Sequence, residues 1–357
     1  MKKITNEISD SAKKSLITRT ITAVILVIIT IPCLILGGWY FFGFSVLIAL
    51  VSSYEIVKAS NLKGLIKILV YFITIVFTLG IIYYCLFDNV KGTTAKIGED
   101  EFIIYNSFGR DIKLSIMLIT FMLSVYFLIS FSCEPFNIAY VFYFATMILV
   151  VAIGVQSLLF LRYSPFICFS NQSAGGELII SSAESVVAKG AIAKPGFKYI
   201  QSTFLSIYVI LGVTFNDMGA YFIGMLFGKH KMNERISPKK TWEGFIGGVV
   251  LSIIVSTIFA LVCALIDKPI LPIFDRRHLY YIIIISILMP LIADVGDFVF
   301  SSIKRTFGVK DFSNLLPGHG GVLDRIDSLI FAAALVSCLI IFINLVAGNP
   351  LNDMLIN

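Results

Sequence analysis

Long uncharged runs constrain this chain more than any other feature. Residues 21–37 and 279–290 contain no Asp, Glu, Lys or Arg. A helix needs about 20 apolar residues to cross the hydrocarbon core of a bilayer. No water is present there to satisfy the backbone, and a helix satisfies its own. On that criterion the sequence holds about nine spans, near 21–37, 39–57, 65–87, 114–132, 138–161, 199–227, 244–266, 279–300 and 326–346. The expected fold class is an all-α polytopic membrane protein. Composition excludes the soluble alternative: 14% of residues are charged, against about 25% in a soluble domain.

The connections divide the chain. Residues 1–161 form an N-terminal transmembrane region of about five spans, and 199–357 a C-terminal region of about four that is expected to carry the catalysis. Between them lies a polar connection, 162–198, rich in Ser, Gly and Ala and without obvious chemistry. Asn171-Gln172-Ser173 within it matches a glycosylation acceptor, a motif short enough to arise by coincidence. Another polar connection of mixed charge covers 88–113. The six cysteines (33, 85, 133, 168, 263 and 338) are scattered singly, without a Cys-x-x-Cys pair, and read as packing residues. Met1–Thr20 is basic and precedes an apolar run, but no small-residue cleavage site follows, so the first span reads as retained.

Charge sets the orientation. The net charge of +6 sits in the connections and marks membrane orientation, not nucleic-acid binding. A cytosolic N-terminus places Lys2, Lys3, Lys13, Lys14, Arg19, Lys58, Lys63, Lys67, the Lys229–Lys240 cluster, Lys304, Arg305 and Lys310 inside. The tail after Ala347 has no Lys or Arg and falls outside, as do the exceptions Lys268, Arg276 and Arg277.

Two small-xxx-small patterns, Gly224/Gly228 and Gly244/Gly248, read as close helix packing. Asn216-Asp217 is different, because a carboxylate at the bilayer centre costs about 2.5–3.5 kcal/mol and so marks a buried polar site or a hydrogen bond to a neighbouring helix. The densest polar cluster runs from Asp294 to Asp327. Asp294, Asp297, Ser301 and Lys304 are spaced three, four and three apart, so a continuing helix would place them on one face. Arg305, Lys310 and Asp311 follow, then Pro317-Gly318-His319-Gly320-Gly321 and Asp324-Arg325-Ile326-Asp327. Closely spaced glycines let amides approach an anion, and a helix N-terminus adds favourable partial charge. Carboxylates from two helix ends can hold a hard divalent cation, and Lys or Arg can clamp phosphate oxygens. These parts suit phosphoryl or nucleotidyl transfer. A lone capping Asp would be ordinary; four aspartates with three basic residues and a glycine turn are not.

A second cluster runs from Gly228 through His230 to Ser237-Pro238-Lys239-Lys240-Thr241-Trp242-Glu243-Gly244. Its lysines fit membrane orientation as well as phosphate binding, and its spacing is not that of a P-loop. His319 could be a general base, a phosphate donor or a turn residue.

Ser301-Ser302-Ile303-Lys304-Arg305, Lys310-Asp311 and the run Leu316 to Asp327 resemble the phosphatidate cytidylyltransferase signature in full. Gly296-Asp297, Ser237–Gly244, and Asn216-Asp217 with Ala220, Tyr221 and Gly224 are also similar to that family. The resemblance covers about 110 residues, Asn216 to Asp327; the N-terminal half matches only as apolar spans. Phe300 departs from it, standing where many bacterial members carry an acidic residue.

The resemblance implies that phosphatidic acid and CTP give CDP-diacylglycerol and pyrophosphate with Mg2+. It implies metal ligands at Asp297 and Asp324, with Asp217, Asp294, Asp311 and Asp327 as further candidates. Substrate binding falls to Ser237, Lys239, Lys240, Thr241, Ser301, Gly320 and Gly321, and catalysis to Lys304, Arg305, Lys310, Asp311, His319 and Arg325. The implied partners are CTP, phosphatidic acid and the bilayer, with a homodimer open beside a monomer. The expected location is a bacterial inner membrane with the site facing the cytoplasm. A CTP-dependent polyprenol kinase is the nearest rival, and the complete signature argues against it. A transporter would share intramembrane aspartates but would not need Lys, Arg and Gly clustered at one cytosolic end.

Overall fold

The computed structural model describes residues 10–83, 93–97, 100–106, 112–163, 166–171, 178–182, 202–266, 270 and 279–346. Among them are nine helices: α1 (Asp10–Leu36), α2 (Gly38–Ala59), α3 (Gly64–Tyr83), α4 (Ile112–Ser132), α5 (Ile138–Tyr163), α6 (Ser202–Phe227), α7 (Trp242–Leu265), α8 (Leu279–Thr306) and α9 (Leu323–Val346). Eight are long and apolar enough to cross a membrane; the apolar stretch of α4, Ile116–Ser132, is shorter. The chain is a multi-pass membrane protein, as its apolar runs require.

Apolar side chains do not by themselves drive helices together in lipid, so close packing and interhelical hydrogen bonds carry the assembly. Tyr126 meets Thr74 at 2.8 Å, Tyr83 meets Ser45 at 2.6 Å, Tyr208 meets Ser286 at 2.7 Å, and Ser252 donates to the Gly212 carbonyl at 2.7 Å. Tyr126, Phe136 and Phe144 stack in the core of the N-terminal half. The glycine patterns of α6 and α7 pack as expected: a Cβ on Gly244 would lie 3.1 Å from the Gly224 Cα. Ile28, Leu65, Phe72 and Phe131 are exposed, as lipid-facing residues of such spans should be.

The all-α expectation needs one addition. The connections after α3 and α5 carry strands β1 (Thr93–Ile97), β2 (Asp100–Asn106), β3 (Phe166–Asn171) and β4 (Leu178–Ser182). They form one antiparallel sheet in that order, and β2 pairs with β3 from Phe102↔Ser170 to Asn106↔Phe166. Gln172 and Ser173 of the glycosylation match, Cys85, most of 267–278 and the tail from 347 lie outside the described residues.

Contacts sort the remaining connections onto one face. Thr22 donates to the Pro317 carbonyl at 3.0 Å, Tyr140 to the Ser60 carbonyl at 3.2 Å, and Phe307 packs on Tyr140 and Tyr143. At the other end, Arg162 donates to the Leu34 carbonyl at 2.6 Å. The turn before α9 therefore shares the face that holds the start of the first span, and so does the hairpin between α6 and α7, which Arg305 at the end of α8 holds at Ile236.

Candidate active site

The site is built on four helices and two connections. Between α6 and α7 the chain makes a hairpin of β5 (Lys231–Asn233) and β6 (Ser237–Thr241), pairing Lys231↔Thr241 and Asn233↔Ser237. Glu243 fixes its root, accepting from the Lys229 amide at 3.1 Å and meeting His230 Nδ1 at 2.6 Å. Thr241 caps α7 by accepting from the Gly244 amide at 3.2 Å and is buried, which gives it a structural use beside any contact with nucleotide. Lys239 is exposed on the hairpin.

Lys240 turns inward to α8. Its Nζ lies 3.2 Å from Asp294 and 2.7 Å from Asp297. Burial pushes the ammonium pKa down, but the Asp297 and Asp294 carboxylates outweigh it and hold the value above that of an ordinary lysine. Asp294 also accepts from Asn216 Nδ2 of α6 at 3.1 Å, and Asp297 from Ser301 at 3.2 Å. Asn216 Oδ1 is buried and has no hydrogen-bond partner. The helical stripe expected for Asp294, Asp297, Ser301 and Lys304 exists because α8 continues to Thr306, past the end of the apolar run.

Close packing of α8 on α9 brings further carboxylates in. A Cβ on Gly296 would lie 2.9 Å from the Asp327 carbonyl and from the Phe331 Cβ. Asp294 and Asp297 form, with Lys240 between them, the centre of an acidic group; Asp217 follows Asn216 on α6, and Asp327 lies where α9 packs on Gly296. Among the described residues, no three His, Cys, Asp or Glu side chains enclose an ion unaided. Mg2+ commonly uses one or two carboxylates and takes the rest of its shell from water and substrate phosphate.

Asp324 has other partners. Its Oδ1 accepts from Lys304 Nζ at 2.7 Å; its Oδ2 accepts from the amides of Phe312 at 3.0 Å and Gly321 at 2.9 Å. Lys304 is buried and lies 5.6 Å from the Phe312 ring centre. The expected pairing of Asp324 with Asp297 on one ion therefore competes with three hydrogen bonds that hold the loop.

The glycine turn also spends its amides on the protein. His319 donates to the Leu316 carbonyl, and Leu316 to that of Gly320, both at 2.9 Å. Gly318 and Gly320 take φ of 76° and 82°, a left-handed region that favours glycine. Glu55 of α2 accepts from the amides of Val322 at 2.8 Å and Leu323 at 2.7 Å. The amides of 321–323 thus meet carboxylates, so the anion cradle expected from this helix start is filled from within.

His319 Nδ1 is buried without a hydrogen-bond partner. Asp311 packs against Gly320, and Lys310 and Arg325 are exposed. Arg305 ties α8 to the hairpin, donating to the Ile236 carbonyl at 3.3 Å and the Val309 carbonyl at 3.1 Å. Phe300 is fully buried against Phe312 and Phe331. Sequence reasoning missed Glu55 and the anchoring role of Glu243. The signal for Glu55 was present: it is a lone carboxylate in an apolar run, the feature that singled out Asp217.

The site therefore offers a half-buried lysine between two aspartates, a locked glycine turn and exposed cations at one membrane face. Comparison with known proteins agrees with this chemistry. The model of the cytidylyltransferase family matches residues 17–343. A phosphatidate cytidylyltransferase of Staphylococcus saprophyticus is 30% identical over 327 residues, which cover 90% of this chain and 98% of that protein. Those of Bacillus subtilis and Haemophilus influenzae are 43% and 42% identical over 124 and 140 residues, 35% and 39% of this chain and 42% and 46% of theirs. The match spans both halves, including the N-terminal spans that carry no motif, and this chain belongs to the cytidylyltransferase family.

Proposed function

We propose that this protein transfers the cytidylyl group of CTP to phosphatidic acid, giving CDP-diacylglycerol and pyrophosphate for phospholipid synthesis. The observation that carries the reading is the folded signature: Lys240 of the 237–241 strand meets Asp294 and Asp297, Asn216 meets Asp294, and Arg305 at the head of the 301–327 segment holds the hairpin at Ile236. An oxygen of the phosphatidate phosphate forms a bond to the α-phosphorus of CTP. The bond from that phosphorus to the β-bridging oxygen breaks, and pyrophosphate leaves with the electron pair. The nucleophile is already anionic, so no strong base is required; the difficulty is bringing two anions together. Lys240 supplies fixed positive charge beside the acidic group, while Lys239, Lys310 and Arg325 offer exposed cations for phosphate oxygens.

The acidic group fits a hard divalent ion, because four carboxylates sharing few cations beside an unpartnered amide oxygen favour one. Asp297, with Asp217 or Asp327, would hold Mg2+ and leave the rest of its shell to water and substrate phosphate, with Asp294 kept by Asn216 and Lys240. Such an ion, when bound, neutralises charge developing on phosphate oxygens. The site faces the cytosol in this reading, where CTP is found, and the membrane is a bacterial inner membrane.

The test uses purified full-length protein in detergent, phosphatidic acid, Mg2+ and CTP labelled on its α-phosphate. Cytidylyl transfer puts the label into lipid. Label recovered only as free CDP marks a lipid kinase, and unchanged CTP with well-folded protein rejects both.

A further inference from the structure

We propose that Glu55, a residue of the second span outside every motif of the chain, is a positioning residue for the active-site loop. It lies one turn before the end of α2 with no exposed surface, where a carboxylate without partners is costly. That cost is offset by three short charge-assisted bonds. Ser313 donates to Oε1 at 2.6 Å, the Val322 amide to Oε1 at 2.8 Å and the Leu323 amide to Oε2 at 2.7 Å. Ser313 and Val322 belong to the segment between α8 and α9, and Leu323 is the first residue of α9.

The two amides are those that a helix beginning at Leu323 cannot satisfy internally. A negative group there also meets the positive end of the helix dipole. Asp324 holds the neighbouring amides of Gly321 and Phe312. The turn is therefore gripped by one carboxylate of its own helix and one from a helix that carries no signature residue.

Gly321 gains a reason of its own. A Cβ there would lie 2.5 Å from Glu55 Oε1 and 2.8 Å from Oε2. Glycine at this position lets the loop close onto the carboxylate, whatever it does for phosphate. Glu55 thereby fixes where α9 begins, and with it the placement of Asp324, Arg325 and Asp327. Misplacement of reacting groups by about 1 Å can cost about 10²-fold in rate.

The activity arm of the test rests on the cytidylyl-transfer reading, while the exchange arm does not. Glu55→Gln removes the charge and places an amide donor against a backbone amide. In monodisperse full-length protein, kcat per folded molecule should fall about 10–100-fold, with KM for CTP within about threefold. Amide hydrogen exchange should quicken across 312–325 and stay unchanged in the remaining spans. Ser45→Ala, which removes a buried bond to Tyr83 from the same helix, should lower thermal stability and leave both readouts alone. Ser313→Ala removes one of the three donors and should show the same local exchange, so it decides the matter if Glu55→Gln does not fold. The proposal is overturned by normal kcat in folded Glu55→Gln, by unchanged exchange at 312–325, or by an equal loss of kcat in Ser45→Ala. If the parent makes no CDP-diacylglycerol, the reaction assignment fails and exchange alone decides the anchor.

Discussion

Replacing Asp324 should destabilise the fold before it informs on catalysis. The Lys304–Asp324 pair is closed to solvent, its side chains 10% and 3% exposed, with 2.7 Å between the charged atoms. Removing one partner of a buried pair costs about 3–5 kcal/mol, because the other charge stays behind. Asn at 324 keeps one acceptor. If its oxygen faces Phe312 and Gly321, its NH2 abuts the Lys304 ammonium; if it turns over, two buried amides are orphaned at about 1–3 kcal/mol each. Asp324→Asn should therefore lose at least about 3 kcal/mol, and Lys304→Met a similar amount. The double variant has neither buried charge, so its loss should fall short of the sum by at least about 2 kcal/mol. At about 2 °C per kcal/mol for a long chain, each single change lowers the midpoint by about 5–10 °C. Thermal unfolding of the four proteins in one detergent, followed by intrinsic fluorescence, gives the cycle. A double variant whose loss equals the sum of the single losses would falsify the view that this pair is a closed unit.

Asp297→Asn should behave in the opposite way. The side chain is 28% exposed and Lys240 keeps Asp294 as a partner, so midpoint and monodispersity should hold while turnover drops about 10²–10³-fold. Near-normal turnover, measured as label entering lipid, would remove Asp297 from the site. For topology, in a background without the exposed Cys338, Lys231→Cys and Asn314→Cys should resist an impermeant thiol reagent in sealed cells and react after lysis. Asn352→Cys should react in intact cells, and labelling of Asn314→Cys from outside would reverse the assignment of faces.

The spans were legible because an apolar run of bilayer length has few other uses. Their ends were not, because polar residues can extend a helix beyond the apolar run. The stripe from Asp294 to Lys304 carries α8 to Thr306 in this way. The sheet escaped notice although Thr93–Ile97 and Phe166–Asn171 are rich in β-branched or aromatic residues. Strands of five to seven residues in polar connections give a short pattern, and their pairing joins segments on either side of two helices. Glu55 stood out as a lone carboxylate, but its role was hidden for a related reason: its partners Ser313, Val322 and Leu323 lie some 260 residues further along the chain. No local spacing could announce them.

The acidic residues around the signature divide by what meets their oxygens. Glu55 and Asp324 are met by amides and a buried ammonium, donors that belong to the protein and leave little room for a ligand. Asp294 and Asp297 are met by Lys240, with Asn216 on Asp294 and Ser301 on Asp297, and Asp327 by the Ser328 amide. Carboxylates on adjoining helices raise one another's cost, and a cation arriving with phosphate would lower it. In the sequence Asp324 and Asp327 stand one helical turn apart and look alike. The structure separates them by partner: Asp324 accepts from Lys304 and two loop amides, Asp327 from the amide of Ser328. The reaction is best sought at the second set, and the precision with which it is held at the first.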